Sequence, residues 1–136
     1  MRQMSGARAF IDTNVLLYLL SADNRKAEVA ESLISNGCSI SVQVLNEMTN
    51  VARRKLNMPW KDIEEFSGLI QSFCSIESLT IETYKKGVQI TNKYQLSVYD
   101  AMIVASASLA NCEILYTEDM HDGLITDDQL RIANPF

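Results

Sequence analysis

Histidine occurs once in this chain, at His121. That scarcity removes two large classes of chemistry, because a Ser–His–Asp constellation needs a placed histidine base and zinc sites usually draw on several His or Cys donors. His121 itself reads as a solvated loop residue, with a substrate contact as the functional alternative. Cysteine is also sparse. Cys38, Cys74 and Cys112 are odd in number, widely spaced and form no C-x-x-C pair, the usage of reduced packing cysteines in a cytosolic protein. Five glycines and two prolines build no linker, and no G-x-G-x-x-G or G-x-x-x-x-G-K pattern occurs, so a nucleotide cofactor has no foothold. No long apolar run is present. The stretch from Phe10 to Leu20 is interrupted by Asp12 and Asn14 and is too short for a membrane span or a secretory signal. The expectation is a cytoplasmic protein with no membrane attachment. Positive charge is in deficit too: 12 Lys and Arg against 17 Asp and Glu leave a net charge of −5, with no overall basic field to hold a polyanion non-specifically.

What is present is an ordinary globular balance, 47% hydrophobic and 21% charged over 136 residues. This predicts one domain over residues 1–136, with the first six lacking fixed structure. Short apolar runs alternate with helical patterns, which favours βαβ units, an α/β fold and a mainly parallel sheet. Ala9 to Ile11 reads as the first strand, followed by a short helix from Val15 to Leu20. Asp23 and Asn24 offer a cap for a helix ending at Asn36-Gly37. Ser39 to Val42 reads as the second strand, and Leu45, Met48, Val51 and Ala52 mark the third helix. Asn57-Met58-Pro59 breaks it. The next helix carries Ile63, Phe66, Leu69, Ile70 and Phe73 on one side, with Pro59 in its first turn. Cys74 to Ser78 is a short strand, and Thr80 caps a helix through Tyr84 and Val88 to Tyr94. Val98 to Leu109 is a helix with a small-residue face. Ile114 to Tyr116 is the fourth strand, and Leu130 to Ala133 adds a fifth at the edge.

The acidic residues then take on meaning from their positions. Asp12, Glu47 and Asp119 each follow a predicted strand, and Asp100 opens a helix. Ligands in an open α/β sheet bind outside the carboxyl ends of the strands. Each acid also has a plain structural account: Asp12 as a helix cap, Glu47 as a first-turn acid near the helix dipole, Asp100 as the far half of a capping box with Ser97, Asp119 as a solvated turn. Taken together they point further. Carboxylates gathered at one rim raise one another's pKa unless a positive charge lies among them. Mg²⁺ or Mn²⁺ suits such oxygen donors, and its usual use is activation of water for in-line attack on phosphorus. The net negative charge does not oppose this, since the acidic site would be partly neutralised by metal. Thr13 and Asn14 could orient Asp12. Arg53, Arg54 and Lys55 end the third helix, where they either complement its dipole or contact phosphate or a partner's acidic groups.

The motifs Phe10-Ile11-Asp12-Thr13-Asn14-Val15-Leu16, Ser41-Val42-Gln43-Val44-Leu45-Asn46-Glu47, Leu96-Ser97-Val98-Tyr99-Asp100-Ala101-Met102 and Leu115-Tyr116-Thr117-Glu118-Asp119-Met120 occur in this order. In them the chain resembles a PIN-domain nuclease, and within that group a VapC-type toxin ribonuclease. The resemblance implies a three-layer α/β/α sandwich around a central, mainly parallel sheet of four to five strands. It implies that Asp12, Glu47, Asp100 and Asp119 form a Mg²⁺ or Mn²⁺ site, with Thr117 and Asn14 supporting it. Asp122 is either an extra carboxylate at the rim or a loop residue. The resemblance further implies an RNA substrate, a homodimer and inhibition by a small antitoxin protein. Two other readings stay open: a housekeeping RNA-processing nuclease without an antitoxin, and a non-catalytic PIN-fold binding module. A phospho-acceptor receiver domain is disfavoured, because Glu118 and Asp119 stand where a lysine is wanted after the fourth strand. A dehalogenase-like fold is disfavoured because Asn14 occupies the place of a second Asp.

Overall fold

A computed structural model describes residues 8–136; the expectation for the first six residues lies outside the described residues. Five strands form one sheet in the order β3-β2-β1-β4-β5. They are β1 (Ala9–Ile11), β2 (Cys38–Ser41), β3 (Cys74–Glu77), β4 (Ile114–Tyr116) and β5 (Arg131–Ala133). The pairings between these strands are parallel: Phe10 lies opposite Ser39 and Leu115, Ile40 opposite Ile76, and Leu115 opposite Ile132. Parallel strands need crossovers; six helices supply those between β1, β2, β3 and β4, and a helix-free loop, residues 117–130, joins β4 to β5. The helices are α1 (Thr13–Leu17), α2 (Asn24–Ser35), α3 (Val42–Arg54), α4 (Trp60–Phe73), α5 (Ile81–Tyr94) and α6 (Val98–Leu109). A single 3-10 turn, Tyr18–Leu20, extends α1. The predicted α/β architecture and the edge position of the fifth strand both hold.

The central strands are buried on both faces, as covered parallel strands are. Phe10, Ile11, Ile40 and Leu115 are all fully enclosed. Side-chain oxygens then start the helices. Asp12 accepts from the Thr13 N–H, Asp23 from Lys26, Ser41 from Val44 and Ser97 from Asp100. Thr80 and Thr83 make a reciprocal capping box. At the end of α2, Asn36 keeps helical angles and Gly37 takes the left-handed φ of +90° that a side chain would resist.

Several boundaries depart from the sequence expectation. The second strand ends at Ser41 and Val42 opens α3, because the Ser41 hydroxyl accepts the Val44 N–H and stops the strand one residue early. Glu47 therefore sits in the second turn of α3, too deep for a first-turn dipole role. Pro59 is the cap of α4 and not its first residue. On α4 the core stripe is Ile63, Phe66 and Ile70, while Leu69 and Phe73 are mostly exposed. On α5 the buried stripe is Thr83, Gly87 and Ile90, leaving Tyr84 and Val88 outside. Gly87 lets α5 and α6 approach closely: a Cβ there would stand 2.4 Å from Met102 Sδ. The Ser97 box at α6 is half made, since Ser97 accepts from the Asp100 N–H without a reciprocal bond. The three cysteines are unbridged, with Cys38 Sγ and Cys74 Sγ 3.2 Å apart across β2 and β3.

Candidate functional site

The rim at the carboxyl ends of β1, β2 and β4 is where the predicted acids gather. Asp12 follows β1 directly, and its N–H extends the ladder to the Tyr116 carbonyl at 3.0 Å. Its side chain is buried, with both oxygens engaged. Oδ1 accepts from the Thr13 N–H at 2.7 Å, and Oδ2 accepts from the Thr117 hydroxyl at 2.8 Å. Thr117 follows β4 and is 1% exposed; besides donating to Asp12, it accepts from Asn14 Nδ2 and from the Asp119 N–H, each at 3.2 Å.

Asn14 is the link to the fourth acid. Its Nδ2 also donates to Asp119 Oδ2 at 2.8 Å, while its Oδ1 accepts the Glu118 N–H at 3.1 Å. It therefore holds the loop after β4 against α1. Glu47 enters from α3. Thr13 Oγ1 donates to Glu47 Oε1 at 2.6 Å, and Gln43 Nε2 donates to Oε2 at 3.2 Å. Asp100 enters from the first turn of α6.

The electrostatics express the crowding. Burial pushes the Asp12 carboxyl up to about 6, against the hydrogen bonds from Thr117 and Thr13 that favour its ionised form, and the Glu47 and Asp100 charges push it further. Asp100 is likewise raised, by burial first and then by the charges of Asp119 and Glu47, with Ser97 opposing. The four acids thus feel one another across the rim. Among the described residues, the salt bridges engage Glu118, Asp127 and Asp128 and none of the four. No three His, Cys, Asp or Glu side chains among the described residues stand close enough to hold an ion as they are placed.

The other predicted residues fall elsewhere. Arg53 is engaged at the end of α3: its Nη1 donates to the Met58 carbonyl at 3.0 Å, and its guanidinium lies 5.0 Å from the centre of the Trp60 ring. Arg54 and Lys55 are exposed. Asp122 accepts the Asn134 N–H at 2.8 Å and so ties its loop to the end of β5, while His121 is exposed. Glu118, adjacent to Asp119, turns away to Lys26 Nζ at 2.5 Å and to the Tyr18 hydroxyl at 2.8 Å. Gln43 had no role assigned from sequence, although its position one helical turn before Glu47 is a legible i, i+4 spacing.

This topology and rim define a class. The family model of the PIN domain matches residues 9–121, and the chain belongs to that family. No curated protein matches the chain. Among solved structures it is similar to a toxin–antitoxin complex from Klebsiella pneumoniae, at 23% identity over 94% of this chain and 98% of that one, with a TM-score of 0.72. It is similar to VapBC-1 from nontypeable Haemophilus influenzae, at 15% identity over 93% and 97%, TM-score 0.66. It is also similar to the sarcin–ricin loop cleaving toxin VapC20 of Mycobacterium tuberculosis, at 16% identity over 82% and 89%, TM-score 0.63.

Proposed function

We propose that this protein is a divalent-metal-dependent endoribonuclease, a single PIN domain acting as the toxin of a toxin–antitoxin pair. The observation that carries the reading is the convergence of Asp12, Glu47, Asp100 and Asp119, from four different segments, on one rim where none has a cationic partner among the described residues. The donor set fits Mg²⁺ or Mn²⁺ in kind and in charge, being all carboxylate oxygen, and the raised Asp12 and Asp100 carboxyls are groups a cation would return to the ionised form. Bound there, the ion would supply Lewis acidity toward water and the phosphodiester.

The chain's own residues do the rest. Thr117 and the Thr13 N–H hold the Asp12 carboxylate in one orientation. Thr13 and Gln43 do the same for Glu47, and Asn14 for Asp119. The exposed Asp119 marks the open side of the rim, where an unstacked RNA strand can approach. Exposed Arg54 and Lys55 are candidate phosphate contacts. The toxin role draws on the similar proteins, which are described as toxins or toxin–antitoxin complexes. A small antitoxin and a homodimer are part of the same proposal. No helix among the described residues is long and apolar enough to cross a membrane.

The test is incubation of the purified protein with a structured RNA, with Mn²⁺ and with chelator, beside the Asp12→Asn variant. Cleavage that needs Mn²⁺ and disappears in the variant is the expected result. Cleavage that survives chelator, or survives in the variant, would overturn the assignment of this rim.

A further inference from the structure

Glu47 and Asp100 stand on different helices, so the spacing of their carboxylates depends on side chains and not on a shared ladder. Gln43 spans that gap. It lies one turn before Glu47 on α3, and its Nε2 donates both to Glu47 Oε2 at 3.2 Å and to the Tyr99 carbonyl at 3.0 Å. Tyr99 is the residue before Asp100, in the first turn of α6. One amide nitrogen thereby spends both of its hydrogens tying the Glu47 carboxylate to the backbone beside Asp100.

We propose that Gln43 is a positioning residue of the cation site, orienting the Glu47 carboxylate and fixing α3 against the first turn of α6 so that Glu47 and Asp100 face the same ion. The proposal rests on the reading of the rim as a divalent-cation site. Its chemistry favours an amide over a basic side chain. Lys or Arg at this place would neutralise Glu47 and compete with the cation, whereas a neutral donor takes one lone pair and leaves the charge available. Thr13 grips the other oxygen of the same carboxylate. The group is therefore held from both sides while each oxygen retains a lone pair for an ion. Partners that orient metal-binding carboxylates in this way typically contribute 10–100-fold in metal affinity or activity. An ordinary i, i+4 surface pair would end at Glu47; the bond to the Tyr99 carbonyl, across to a second helix, separates the two cases.

The experiment is calorimetric titration with Mn²⁺ alone, without RNA, of the full chain as wild type, Gln43→Met and Val42→Ala. Methionine keeps the length and helix propensity of glutamine and supplies no donor. Val42 is the neighbouring residue in the same turn and serves to report on α3 itself. We expect Mn²⁺ to bind Gln43→Met with a Kd roughly tenfold weaker than wild type, Val42→Ala to bind as wild type, and the metal-free melting temperature of Gln43→Met to stay within about 2 °C. Equal Kd values for wild type and Gln43→Met overturn the proposal. So does an equal loss in Val42→Ala, which would place the effect in the helix start, and so does a lower melting temperature with an unchanged Kd, which would make Gln43 a packing residue. Failure of wild type to bind Mn²⁺ overturns the cation reading itself, a result distinct from the others.

Discussion

Thr13 Oγ1 lies 2.6 Å from Glu47 Oε1 and joins the first residue of α1 to the second turn of α3. The bond bridges two acids, because Thr13 is the residue after Asp12 and also donates its N–H to the Asp12 carboxylate. Thr13→Val keeps the side-chain shape and removes the hydroxyl. Glu47 would retain Gln43 and, being half-buried, can take water in exchange, so the expected stability loss is about 1 kcal/mol. The expected loss in cleavage is larger, about 10–100-fold, because the carboxylate is no longer held. Urea unfolding beside single-turnover cleavage separates the two. A variant that cleaves at the wild-type rate would detach Thr13 from the site.

Asp12 makes stability depend on pH in the direction opposite to an ordinary salt-bridged acid. Its carboxyl rises from 3.8 to about 6 on folding, chiefly through burial. Between those values the folded chain binds more protons than the unfolded one. The Asp12 contribution is therefore full below about pH 4 and is lost as pH rises through about 6, a difference on the order of 3 kcal/mol. Asp12→Asn removes that titration. Without divalent ions, the variant is expected to be more stable than wild type at pH 7.5 and equal to it near pH 4, while its cleavage activity is abolished. Chemical unfolding across this range reads the difference. Parallel curves for the two proteins would show that folding does not raise the Asp12 carboxyl.

The same residues show which parts of this molecule are legible in its sequence. Phe10-Ile11 and Leu115-Tyr116 are short apolar runs ending in a polar residue, and both form strands whose ends meet at one rim. The helix starts were legible because Asp23, Thr80 and Ser97 carry the oxygens that cap them. The strand end at Ser41 was not, since Val42 is a good strand residue and only the capping bond of the Ser41 hydroxyl ends the strand before it. Gln43 and Arg53 escaped for a different reason. Their partners, the Tyr99 carbonyl and the Trp60 ring, are set by how one helix returns against another, which no local pattern encodes.

Thr117 is the hub through which Asp12, Asn14 and Asp119 are kept in register. Its buried hydroxyl donates to one and accepts from the other two. Thr117→Val leaves the Asp12 carboxylate with one donor fewer in a dry setting, at an expected cost of roughly 2 kcal/mol. It also removes one of the two bonds that favour the ionised form of Asp12, so its carboxyl should move further up and any divalent-ion affinity should fall. Thr117→Ser restores the hydroxyl and should restore both properties. Thermal melts and Mn²⁺ titration of the pair provide the check; a serine variant as impaired as the valine one would assign the effect to the lost methyl and not to the hydroxyl.

The basic run that ends α3 divides by geometry. Arg53 is already committed: it donates to the Met58 carbonyl and stacks over Trp60, closing the turn that leads into α4. Arg53→Ala should therefore cost about 1 kcal/mol of stability and leave RNA affinity nearly unchanged. Arg54 and Lys55 are exposed on the same turn, so their substitution by alanine should leave the melt unchanged and weaken RNA binding. If both contact phosphate, the salt dependence of binding loses about 0.7 of logarithmic slope for each charge removed from a single-stranded complex. Fluorescence anisotropy of a single-stranded RNA over a salt series, in the Asp12→Asn background so that no cleavage intervenes, measures that slope directly. A slope unchanged in Arg54→Ala/Lys55→Ala would place the RNA on another face, and the charge at the end of α3 would then serve only its helix dipole.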